Sequence, residues 1–140
     1  MYKNDSALSL KDYRMLYYGH YYQRDYVPYG NDPQNVLKKL DRLYDKKNYK
    51  KIDLQKAIKL LQVYLDTNPF DTRKLYDVYT AYDLLGDSVS GKPYLAKALG
   101  IAKAIFSTGD GLTKESAFHV LHISAEYFIL FALDYEYNGD

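Results

Sequence analysis

Four residues in the C-terminal third have the types and spacing to do chemistry together. Glu115, His119, His122 and Glu126 fall at i, i+4, i+7 and i+11, so a continuous helix would carry two imidazoles and two carboxylates along one face. Those groups ligate zinc-like ions and also make the usual acid–base pairs. The histidines, however, are three apart, HExxH is absent, and a single helix rarely completes a coordination shell. No facing helix announces further ligands. His119 is therefore expected to be a hydrogen-bonded interior or groove histidine, paired with a tyrosine or a carboxylate, and neither a metal nor a cofactor is expected. A metal-dependent enzyme centred on His119 stays as the third-ranked reading.

Nucleophilic chemistry has less support. Ser107, Ser116 and Ser124 stand in ordinary helical or capping contexts without a GxSxG turn, and zero cysteine removes disulfides, thiolate nucleophiles and Cys-ligated zinc. The Gly109-Asp110-Gly111 stretch lacks both phosphate-loop frames and reads as a tight helix-to-helix connection. No enzymatic activity is expected.

A different concentration of chemistry sits near the N-terminus. "DYRMLYYGHYYQRDYVPYG", residues 12–30, holds seven of the chain's 18 tyrosines. Tyrosine joins a large apolar ring to a hydroxyl that needs a partner, so such a segment is either core with its tips satisfied or a binding surface. Tyr13 and Tyr17 are expected in the core. Tyr18, Tyr22, Tyr26 and Tyr29 lie on the opposite helix face or in the following loop, and with His119 and Glu126 they are the candidate partner-binding residues. Tyrosines in a groove bind peptides, and the same rings can stack on sugars.

The elements that position these residues follow from caps and breakers. Ser9 caps a first helix from Leu10, weakened at Gly19, with Leu10, Tyr13, Tyr17 and Tyr21 along one side. Pro28, Gly30 and Pro33 break the chain into a loop. Asp32-Pro33 opens a second helix to about Tyr44, with Val36, Leu37, Leu40, Leu43 and Tyr44 inward. Asp53 caps a third, with Leu54, Ala57, Ile58, Leu61, Tyr64 and Leu65 inward until Asn68-Pro69. Asp71 caps a fourth, with Leu75, Val78, Tyr79, Tyr82 and Leu85 inward and Gly86 as its left-handed end. Lys92-Pro93 starts a fifth that runs to about Phe106. Thr113 caps a sixth, from Lys114 to about Leu133, apolar on nearly all sides and so central.

These spans define an all-α fold of about six helices in antiparallel hairpins: one domain over residues 1–140, made of a Tyr-rich helix and loop (1–31), a hairpin stack (32–133) and a tail (134–140). Ala57, Leu61, Tyr64 and Pro69, followed by Leu75, Val78, Tyr79, Tyr82 and Gly86, are spaced like the junction between two tetratricopeptide repeats, so the stack is tetratricopeptide-like.

Charge narrows the partners. A net charge of +1 lacks the sustained positive field of a phosphate-backbone binder, so no nucleic acid is expected. Between Lys38 and Lys51 seven basic residues face two aspartates, whereas from Asp110 onward Lys114 stands alone against six acids; solvated faces are the first reading, and docking between the patches the second. No apolar run is long enough to span a bilayer and no secretory leader is visible, so a soluble chain is expected.

"YRMLYYGHYYQRDYVPYG", "NPFDTRKL" and "IFSTGDGLTKESAFHVLHISAEY" together resemble the DUF4919 family of uncharacterised Bacteroidetes proteins, over roughly Ser6 to Leu133. The resemblance implies no mechanism. It implies a periplasmic or envelope setting if a leader has been removed, with further sequence on either side. His119 and Glu126 match the family's block and His122 departs from it. Tyr135 to Tyr137 alternate like a strand before Asn138-Gly139, a hairpin-turn pair, so the tail reads as truncated. The function expected is a non-catalytic interaction domain that binds a peptide or protein through a Tyr-lined surface. A glycan-binding module is the runner-up.

Overall fold

The computed structural model describes residues 8–24, 26–48 and 50–133. Among them are six α-helices and no strand: α1 (Leu10–Gly19), α2 (Val36–Tyr44), α3 (Lys51–Thr67), α4 (Thr72–Leu84), α5 (Ser88–Phe106) and α6 (Ile123–Ala132), with a 3₁₀ turn at His20–Tyr22 after α1. The alternating tail from Tyr135 to Tyr137 lies outside the described residues.

Helices α2 to α5 pack in sequence, each against the next, with α1 laid on α5 and α6 on α4. Burial follows the helical stripes. On α3 these are Ala57, Ile58, Leu61, Tyr64 and Leu65, and on α4 Thr72, Leu75, Val78 and Ala81. The Ala-rich α5 approaches its neighbours closely. Gly100 lies under the Tyr13 ring, which a Cβ would strike, and Gly91 lies under Tyr79 and Tyr82. Small residues here set the spacing between layers.

Local chemistry sets the ends. The Ser9 side chain and the Asp12 carboxylate satisfy each other's backbone amides in a capping box. Asp71 caps α4 by accepting from the Lys74 amide at 3.1 Å, and its other oxygen receives the Tyr64 hydroxyl at 3.2 Å across the α3–α4 turn. Asp32 opens α2, though from outside the helix, taking the Val36 and Leu37 amides at 2.7 and 2.9 Å. Gly86 ends α4 at φ +79, the left-handed value its position requires.

Several expectations are corrected. Tyr21 leaves the α1 stripe because the helix tightens into the 3₁₀ turn after Gly19, and it is exposed together with Leu10. Tyr44 is exposed, since the buried line on α2 is Val36, Leu40 and Leu43. Asp53 sits one turn inside α3, accepting from the Lys50 amide and the Lys46 ammonium. α5 begins at Ser88, capped by Asp87, so Pro93 lies inside it.

The largest departure is the sixth helix. It starts at Ile123, and residues 113–122 form a turn followed by a non-helical strap that bends at Leu121 and His122. Thr113 and Ser116 make the reciprocal bonds of a helix start. The Ser116 carbonyl is then taken by the amides of Asp110 and Gly111, at 3.0 and 2.8 Å, so it cannot serve the next turn. The His119 and Leu121 amides are likewise captured by side chains elsewhere, Thr108 Oγ1 at 2.9 Å and Tyr17 Oη at 2.8 Å. Shortened in this way, α6 is peripheral. It buries Ala125, Phe128 and Ile129 and leaves Phe131 outward beside Tyr76.

Candidate functional site

The strap is gripped by the tyrosines of the opening segment. Tyr17 Oη accepts from the Leu121 amide, Tyr26 Oη donates to the Leu121 carbonyl at 2.6 Å, and Tyr18 Oη donates to the His119 carbonyl at 2.6 Å. Arg14 adds bonds from α1 to Ser107 at the end of α5. Three hydroxyls thus replace the backbone partners that a helix would have supplied. Burial pushes the Tyr17 and Tyr18 hydroxyls above the ordinary phenol range, so both stay protonated.

The loop after α1 is fastened on both sides. Asn68 accepts from the Asn31 amide at 2.7 Å and donates to its carbonyl at 2.6 Å, and the Ile123 amide reaches the Pro28 carbonyl at 3.4 Å. Gly30, at φ +77, passes so close to Tyr64 and Asn68 that a side chain there would be strained and crowded.

Between loop and strap, His20 and His122 stack with centroids 5.6 Å apart, and Tyr26 meets both rings. Tyr17 and Phe70 complete the cluster. His122 Nδ1 is buried without a partner. Desolvation, then the neighbouring His20, lower the His122 pKa from 6.5 to about 4, so the ring is neutral near pH 7.

His20 and Phe70 also line an open groove of about 850 Å³ between α1, α3 and α5. Its walls are apolar at Met15, Leu16, Val63, Leu65 and Leu75 and polar at Gln23, Lys59, Gln62, Asp66, Tyr94 and Lys97. Lys97 is only 8 % exposed, with its ammonium 5.3 Å from the centre of the Phe70 ring. Gln62 donates to the Tyr94 hydroxyl at 3.0 Å, fixing the rim. A concave apolar cavity with a few fixed polar groups is the usual form of a ligand site.

The residues singled out in the sequence are dispersed. Tyr18 and Tyr26 have their hydroxyls engaged on the strap, whereas Tyr22 and Tyr29 are 84 and 82 % exposed. His119 and Glu126 are both exposed, one on the strap and one on α6. Glu115, His119, His122 and Glu126 do not share a helix face, because the strap is not helical. Among the described residues no group of three or more His, Asp or Glu could hold a metal ion, and no helix is long and apolar enough to cross a membrane. Sequence reasoning missed His20, Phe70 and Lys97. One signal was available for Lys97: a lone charge between Ala96 and Ala98 on a helix otherwise poor in charge at its centre.

Fold and groove define an all-helical domain with a preformed cleft. The whole chain, residues 1–140, matches the model of a family described as a domain of unknown function, DUF4919, and the chain belongs to that family. No curated protein and no solved structure matches it.

Proposed function

We propose that this is a non-catalytic, tetratricopeptide-like interaction domain whose groove between α1, α3 and α5 receives an apolar side chain of a peptide or protein partner. The observation that carries the reading is the groove itself, apolar-walled and open, with the Lys97 ammonium over Phe70 in its lining. The strap bonds support it: they tie down the α1 end of the groove, so little ordering is left for binding to pay for. Tyr94 is the tyrosine that lines this groove, and the exposed Tyr22 ring stands in sequence just before the lining residue Gln23.

Selection from a random peptide display library tests this. Enriched peptides should lose at least about tenfold in affinity for Val63→Arg, which fills the groove, and keep it for Leu112→Arg, which lies outside it. Failure to enrich any peptide, or equal binding by Val63→Arg, would defeat the proposal. A second reading, sugar stacking, rests on the exposure of Tyr22 and Tyr29. Glycan-array binding that disappears in Tyr22→Ala would favour it.

A further inference from the structure

A second groove of about 850 Å³ runs between α2, α3 and α4, on different residues from the first. Its floor is apolar, since Ala57 and Ala81, both buried, line it from α3 and α4. Leu84 is exposed at one edge. Around this floor stand Lys50, Lys51, Arg73 and Lys74 against two carboxylates, Asp41 and Asp77. Asp77 is already held by Lys74 at 3.0 Å and by Arg73 at 3.8 Å. The lining thus carries four cationic side chains against two carboxylates, and Lys50 and Lys51 close the basic run that begins at Lys38 in the sequence. In a chain whose net charge is +1, this is a local concentration of positive charge around an apolar floor.

We propose that this second groove is a docking site for an acidic peptide segment of another protein, one that places an apolar side chain on the Ala57–Ala81 floor between flanking carboxylates. Charge complementarity selects the occupant: the rim cations repel a basic segment, and the floor rewards an anchor that a bare polyanion lacks. The inference does not depend on the reading of the first groove.

The test is fluorescence anisotropy on the full chain, with a labelled synthetic peptide of glutamates flanking one leucine and one tyrosine. Lys51→Glu/Arg73→Glu should weaken binding about tenfold or more, whereas Lys11→Glu/Lys103→Glu, with the same change in net charge outside the groove, should leave it within about twofold. Replacing the peptide's leucine and tyrosine by serine should cost about tenfold, because the anchor is lost. If the reversed variant melts early, Lys51→Gln/Arg73→Gln is read instead, with about threefold weakening expected.

Equal loss in both charge-reversal pairs, or no loss with the serine peptide, would reduce the site to nonspecific charge and overturn the proposal. Tighter peptide binding in Asp134→Asn/Glu136→Gln/Asp140→Asn would give the groove to the chain's own acidic end. Self-association of the peptide-free protein that Lys51→Glu/Arg73→Glu abolishes would give it to a second copy. Either result also overturns the proposal.

Discussion

Tyr17, fully buried on α1, accepts a hydrogen bond from the Leu121 amide at 2.8 Å across 104 residues of sequence. With the Tyr18 and Tyr26 bonds to the same segment, it makes Tyr17, Tyr18 and Tyr26 side-chain partners for backbone groups that no helix or sheet pairs. Tyr17→Phe keeps the ring and removes the acceptor, stranding the Leu121 amide where water cannot reach Tyr17's place. The expected loss is about 1–3 kcal/mol. Tyr26→Phe removes only a donor to a carbonyl and should cost about 0.5–1.5 kcal/mol. Urea denaturation of both variants beside the parent checks the order; equal, negligible losses would mean that the strap is held by other contacts.

Gly100→Ala should destabilise the fold although alanine is the better helix former. The added methyl meets the Tyr13 ring where α1 lies on α5, and overpacking costs about 1–3 kcal/mol against a propensity gain of about 1 kcal/mol. Gly19→Ala, whose Cβ would meet nothing within 4 Å, is the control and should be neutral or stabilising. A thermal melt of Gly100→Ala at or above that of the parent would contradict the close α1–α5 approach.

Stability should fall as pH drops from about 6.5 toward 4. His122 takes a proton near 6.5 when unfolded and only near 4 when folded, so between those values the unfolded state binds more protons and gains relative to the native one. Above 6.5 the group contributes no pH dependence. The groups around it are the His20 imidazole and the Tyr17 and Tyr26 hydroxyls, and burial keeps Tyr17 protonated throughout this range. His122→Phe preserves the ring contacts and removes the titration and the orphaned Nδ1. The difference between parent and variant, measured by denaturant unfolding at successive pH values, isolates this group from the carboxylates. A difference that stays flat from pH 7 to 4 would place His122 in contact with water.

Helices α3 and α4 were legible because each of their signals is local. Asp71 and Gly86 bound α4, Asn68-Pro69 ends α3, and Leu61, Tyr64 and Leu65 recur at helical intervals. Residues 113–122 misled for the opposite reason. Thr113 and Ser116 do start a helical turn, but the groups that divert the chain, Thr108, Tyr17, Tyr18 and Tyr26, lie elsewhere in the sequence and carry no mark in the segment itself. A metal face built on i, i+4 spacing could not survive the loss of that helix. The candidate groove was hidden in the same way, since His20, Gln62, Phe70 and Lys97 come together only once α1 lies on α5.

The central claim is that tyrosine hydroxyls hold residues 117–122 in a non-helical path against α1, and amide hydrogen exchange at Leu121 tests it most directly. The parent should show a strongly protected Leu121 amide. In Tyr17→Phe that protection should fall by about tenfold or more, a local opening lowered by at least about 1.4 kcal/mol, while the amides of Val78 and Ala81 on α4 exchange as slowly as before. A Leu121 amide that exchanges at the free-peptide rate in the parent, or keeps its protection without the Tyr17 hydroxyl, would contradict it.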